Sequence, residues 1–152
     1  IEVAFLLIFG ASVLAFLVFK EFSFSLSNLL KEAVEEITSN NFLYDLETVT
    51  GVFEIPSIIT FAKNQFDGYI TLGCVIRGET THYDYVCAES ARAIMELSLD
   101  GLAIGYGILT CENHQQAFKR SISTKELLGK GKVAAKACIN QVELKRKYTY
   151  ES

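Results

Sequence analysis

The segment Tyr69-Ile-Thr-Leu-Gly-Cys-Val-Ile76 is an almost unbroken apolar run, and an Arg-Gly pair, two threonines and a histidine follow it at once. A run of this length without polar alternation suits a strand buried on both faces, the parallel strand of an α/β sheet. From about Tyr83 to Leu99 the spacing changes to that of a helix, with Val86, Ser90, Ala93, Ile94 and Leu97 on one face. The intervening residues, Arg77 to His82, therefore sit at the carboxyl end of a strand, where open α/β sheets hold their ligands. Thr81 followed three residues later by Asp84 has the form of a helix N-cap. That form predicts unpaired backbone amides near Gly78, Glu79 and Thr80, a seat for a phosphate.

The rest of the chain repeats the alternation. Leu26, Leu29, Leu30, Ala33, Val34 and Ile37 recur at helical spacing, opposite Lys31, Glu32, Glu35 and Glu36. Leu43 to Thr50 reads as a strand, Pro56 opens a short helix to Asn64, and Leu102 to Thr110 reads as another buried strand. Helices near 113–121 and 132–147 close the chain. Strands alternating with helices imply a parallel sheet with right-handed crossovers and helices on both faces. At 152 residues the pattern predicts one domain over 1–152.

Val3 to Phe19 is almost entirely apolar. It is shorter than the ~20 residues of a spanning helix, holds Gly10 and Ser12 at its middle and follows Ile1-Glu2, neither of which is basic. Two buried strands, about 3–9 and 13–19, are expected in preference to a signal or membrane segment. A net charge of −4 without a basic stripe argues against nucleic acid. Lys145-Arg-Lys147 complements the carboxyl end of the last helix. The four cysteines are widely spaced, so neither a metal site nor a disulfide framework is expected, and reduced thiols suit a cytoplasmic protein. Of the four, Cys74, eight residues before His82, is the one candidate for a reactive thiol. Gly129-Lys-Gly131 reads as a turn, since no strand precedes it and the Walker spacing is missing.

Residues 73–86, Gly-Cys-Val-Ile-Arg-Gly-Glu-Thr-Thr-His-Tyr-Asp-Tyr-Val, resemble the signature of the 6,7-dimethyl-8-ribityllumazine synthase family. Gly51-Val-Phe-Glu-Ile-Pro56 and Gly107-Ile-Leu-Thr-Cys-Glu-Asn-His-Gln-Gln-Ala-Phe-Lys-Arg120 match in the same order. The resemblance implies a three-layer α/β/α sandwich around a four-stranded parallel, flavodoxin-like sheet. An arm (1–12) would add its strand to a neighbouring subunit, with the α/β core over 13–152. It also implies condensation of 5-amino-6-(D-ribitylamino)uracil with 3,4-dihydroxy-2-butanone 4-phosphate, releasing phosphate and water, without metal or cofactor. Imine formation, phosphate elimination and ring closure each move protons near neutral pH, which suits a histidine.

Carried onto this sequence, the resemblance makes His82 the proton carrier, with Asp84 orienting it or capping the helix. Arg120 and Lys125 would bind the leaving phosphate, with Glu79 and Thr80 beside it. Arg77 would join them or serve a structural ion pair. Val52, Phe53, Glu54, Cys74, Val75 and Ile76 would hold the ribitylaminouracil, largely through backbone groups. Tyr106 would come from the adjacent subunit, as would Arg120 and Lys125. Phe22, or else Phe19, would stack on the pyrimidine. His114 reads as a solvated surface residue. Besides its small-molecule substrates, the implied partners are further copies of the chain and riboflavin synthase. Among assemblies of five, ten or sixty, the long connection Ser121–Gly131 favours an isolated pentamer. The alternative is a non-catalytic flavin-binding or assembly protein on the same fold, suggested by the imperfect match around Phe22.

Overall fold

The computed structural model describes residues 3–9, 15–16 and 24–150, with side chains over 24–149. Among these, strands β1 (Val3–Phe9), β2 (Ala15–Phe16), β3 (Asp45–Val49), β4 (Gly68–Ile76) and β5 (Ile104–Cys111) form one sheet in the order β2-β3-β1-β4-β5. The helices are α1 (Phe24–Ser39), α2 (Ile55–Phe61), α3 (His82–Leu99), α4 (His114–Ser121) and α5 (Lys130–Tyr150).

The β4-α3-β5 unit is the one the sequence predicts. β4 pairs in parallel with β5 from Tyr69↔Ile104 to Ile76↔Cys111, and all but its last residue are buried. α3 ends at Asp100-Gly101, where Gly101 adopts a φ of +90°. That left-handed turn lets the Leu102 amide return to the Leu97 carbonyl at 3.2 Å and leads the chain into β5.

The sheet departs from the expected four-stranded parallel arrangement. It has five strands and is mixed, because β1 runs antiparallel between β3 and β4, with Leu6 opposite Glu47 on one side and Thr71 on the other. Within the single chain, then, Val3–Phe9 fills a central slot of its own sheet. An unbroken apolar run satisfies a doubly buried slot in either direction, so its composition carries no signal for polarity. Of the expected strand 13–19, only Ala15–Phe16 is described, parallel to β3 at the sheet edge.

α1 turns Leu26, Leu29, Ala33 and Ile37 inward, each large side chain contributing roughly 1.5–3 kcal/mol on burial. It packs on α5, which lies over β4 and β5. The contact with β5 is backbone to backbone: a Cβ on Gly105 would stand 2.0 Å from the Ala134 carbonyl oxygen. Two turns further along α5, Gln141 donates to the Ile104 carbonyl at 2.8 Å and accepts from the Ile104 amide at 3.3 Å. This amide pairing satisfies the start of an edge strand. Across the α1–α5 seam, nearly buried Glu36 meets Lys136 at 3.4 Å and Lys132 at 3.8 Å. No helix among the described residues is long and apolar enough to cross a membrane.

Candidate active site

The carboxyl ends of β3, β4 and β5 supply the residues singled out in the sequence. After β3 the chain passes through Thr50 and Gly51 into a single 3-10 turn, Val52–Glu54, and then into α2. Val52 is buried and anchors the turn, while Phe53 is 54% exposed. Phe53 and Glu54 face the first turns of α3 across a cleft of about 460 Å³, whose other wall is His82, Tyr85 and Val86. A histidine, a carboxylate and two aromatic rings thus share one opening. Thr50 and Gly51 complete its lining.

The turn before His82 is held differently from the expected cap. Thr81 has a helical backbone (φ −71°, ψ −3°) and makes no side-chain cap hydrogen bond. An N-cap side chain reaches back over the helix only from an extended backbone, which Thr81 lacks. Thr80 takes the position instead, its Oγ1 accepting from the His82 amide at 3.4 Å. Gly78, Glu79, Thr80 and Thr81 are all exposed.

Asp84 is engaged by the arginine at the end of β4. It accepts from Arg77 Nη1 at 3.1 Å and Nη2 at 2.8 Å, and Arg77 Nε donates to Glu112 at 3.0 Å. The guanidinium also lies 4.2 Å from the centre of the Tyr83 ring. Its hydrogen bonds to Asp84 and then Glu112 raise the Arg77 pKa, and the same bond to Arg77 holds Asp84 below the usual carboxylate range. Of the two roles open to Arg77, the structure selects the ion pair. Arg77 braces the end of β4 against the start of α3 and the end of β5.

Cys74 sits in the ladder between Val3 and Leu109 and is 4% exposed. Burial, followed by neighbouring Cys111, pushes its thiol up to about 12. A thiol so protonated is unsuited to nucleophilic catalysis. Among the described residues, Val75 and Ile76 pair with β5 alone.

A second cavity, of about 250 Å³, opens on the outer strand. β5 contributes Tyr106 to Thr110, α4 contributes Arg120 and α5 contributes Lys130. Among the described residues, two cations and no carboxylate line it. The start of α4 is fixed by its cap, in which Asn113 Oδ1 accepts from the Gln116 amide at 3.0 Å, while Gln116 Oε1 accepts from the amide of the preceding Glu112 at 2.9 Å. Tyr106 is partly exposed, and desolvation pushes its phenol up to about 12, so it stays a neutral hydrogen-bonding group.

The structure therefore brings His82, Phe53 and Glu54 into one cleft and places Arg120 and Tyr106 in another. Lys125 is exposed and does not line the cavity that holds Arg120. Lys130 does, and sequence reasoning passed over it by treating Gly129-Lys-Gly131 as a bare turn. The available signal was a lysine at the first position of the last helix, a short connection beyond Arg120. His114 is exposed at the start of α4, as expected. Phe22 and Phe19 lie outside the described residues. No group of three or more His, Cys, Asp or Glu suited to a metal ion occurs among the described residues.

The family model described as 6,7-dimethyl-8-ribityllumazine synthase matches residues 16–146. Relatives bearing the same name are similar over most of the chain. The protein of Bartonella tribocorum is 45% identical over 124 residues, covering 79% of this chain and 81% of its own. That of Zymomonas mobilis is 47% identical over 119 residues, 77% and 82% of the two chains. That of Sphingopyxis alaskensis is 44% identical over 126 residues, 81% and 88% of the two chains.

Proposed function

Because the chain belongs to the 6,7-dimethyl-8-ribityllumazine synthase family, we propose that it condenses 5-amino-6-(D-ribitylamino)uracil with 3,4-dihydroxy-2-butanone 4-phosphate in riboflavin biosynthesis. The observation that carries this reading is the division of chemistry between two openings: His82 with Phe53 and Glu54 in one, Arg120 with Lys130 in the other. The first has the apolar walls and the carboxylate suited to a pyrimidine bearing hydroxyls. The second has the paired cations that a phosphate dianion needs.

The ring lies against Phe53, with Phe22 as its stacking partner, and its polar edge meets backbone groups of Val52–Glu54 and of Val75 and Ile76. Glu54 takes the ribityl hydroxyls. The amine attacks the ketone and the carbinolamine loses water to give the imine. His82 moves the protons for this step and for the elimination that releases phosphate, and ring closure expels a second water. Arg120 and Lys130 neutralise the departing phosphate, with Glu79 and Thr80 at its edge and Lys125 approaching from the exposed connection.

Among the described residues, the openings share no lining residue within one chain. One copy therefore contributes the His82 half of each site and its neighbour the Arg120 half, with Tyr106. The assembly is a homopentamer, with α1 and α5 as one outer layer of each subunit and α2 and α3 as the other. Incubating the purified protein with both substrates and following lumazine fluorescence tests the activity. Absence of the product under saturating substrates sinks the reading.

A further inference from the structure

The connection between α4 and α5 begins one residue after Arg120, at the end of α4, and ends at Lys130, the first residue of α5. Whatever fixes this stretch fixes the distance between the two cations. Its own hydrogen bonds make a tight turn, with the Thr124 amide donating to the Leu127 carbonyl at 2.7 Å. A second set of bonds comes from α1. Asn28 Nδ2 donates to Ser121 Oγ at 3.3 Å, beside Arg120. One helical turn on, Glu32 Oε1 accepts from the Ser123 amide at 2.8 Å, and its other oxygen accepts from the Ser123 hydroxyl. That hydroxyl accepts in turn from the Gly129 amide at 3.0 Å, beside Lys130.

The two ends of the connection are thus clasped across one carboxylate. Gly129 is buried and pressed into the clasp. A Cβ there would stand 2.9 Å from the Ile122 carbonyl carbon and 3.0 Å from both the Glu32 carboxyl carbon and the Ser123 nitrogen. Neither Glu32 nor Ser123 lines the cavity of Arg120 and Lys130, so their action on a ligand runs through the backbone.

We propose that Glu32 is a positioning residue for phosphate binding: through Ser123 and Gly129 it sets the spacing between Arg120 and Lys130. This rests on the reading that those two cations bind the phosphate of the butanone substrate. The carboxylate touches no substrate. It converts a flexible link into a fixed one, so that both cations meet the same phosphate without an ordering step on binding.

The test compares steady-state kinetics of the full-length assembled protein with Glu32→Ala, Glu32→Gln, Ser123→Ala and Arg120→Ala, alongside competition by inorganic phosphate and thermal unfolding. Glu32→Ala raises KM for 3,4-dihydroxy-2-butanone 4-phosphate and Ki for phosphate by roughly tenfold, the scale of one lost charge-assisted hydrogen bond. KM for the pyrimidine amine stays near wild type. Ser123→Ala shifts the same constants in the same direction. Glu32→Gln restores them, because its amide accepts from the Ser123 nitrogen and donates to the hydroxyl oxygen. Equal changes in both KM values, or none in Glu32→Ala and Ser123→Ala while Arg120→Ala weakens phosphate binding, overturn the clasp and leave the functional reading intact. Unchanged phosphate binding in Arg120→Ala removes the reading itself.

Discussion

Arg77 and Asp84 are joined by two parallel hydrogen bonds, of 3.1 and 2.8 Å, across the turn that precedes α3. Arg77 holds Glu112 at the same time. Lysine cannot reproduce a fork that serves two carboxylates, so Arg77→Lys lowers turnover together with Arg77→Ala, through misplacement of the α3 start. Circular dichroism distinguishes this from unfolding, since the fold persists in both variants.

The same pair sets an acid limit. Asp84 is held below its ordinary value of 3.8 by Arg77. A carboxyl whose folded pKa is depressed contributes stability that is fully present above the ordinary value and is lost as pH falls through the folded one. Asp84→Asn therefore flattens the decline of melting temperature below pH 3.8 relative to wild type. Identical slopes for the two proteins contradict this assignment.

Cys74 is a packing residue. Its thiol, pushed up to about 12 by burial, reacts slowly with a disulfide reagent in the native protein and rapidly after unfolding. Cys74→Ala keeps turnover within about twofold of wild type, because no step of the reaction needs a thiolate. Loss of activity with an intact fold returns Cys74 to the mechanism.

The β4-α3-β5 unit was legible because two local signals agree there: a doubly buried apolar run at 69–76 and a 3.6-residue stripe along α3. The polarity of Val3–Phe9 was not legible, since an all-apolar segment has no face to orient it. The capping pattern at Thr81 and Asp84 misled because Arg77, distant in helical register, competes for the same carboxylate more strongly than a backbone amide does. The form that does cap, Asn113 with Gln116, carries the same spacing. Lys130 was missed for a simpler reason: the glycines on either side of it read as a turn, which hid that it opens the last helix.

Gly105 marks where α5 touches the sheet most closely. A methyl group there meets the Ala134 carbonyl oxygen at 2.0 Å, so Gly105→Ala costs about 1–3 kcal/mol of stability, the usual range for overpacking. Urea titration reads this as a lower midpoint at unchanged slope. A stability change below the uncertainty of the titration contradicts the contact.

His82→Ala reduces kcat by about ten- to a hundredfold, a moderate loss, because holding two reactants together already supplies much of the acceleration. Arg120→Ala reduces kcat/KM by about a hundredfold or more, since phosphate charge is left uncompensated. Stopped-flow fluorescence of product formation checks both.

Complementation between these two variants tests the shared site most directly. His82→Ala copies retain the Arg120 half and Arg120→Ala copies retain the His82 half. When the two are unfolded together and reassembled, about a quarter of the interfaces in a randomly mixed ring pair two intact halves. Turnover of the mixture then rises to about a quarter of wild type, well above the mean of the two variants. A mixture that never exceeds that mean contradicts a site built from neighbouring copies.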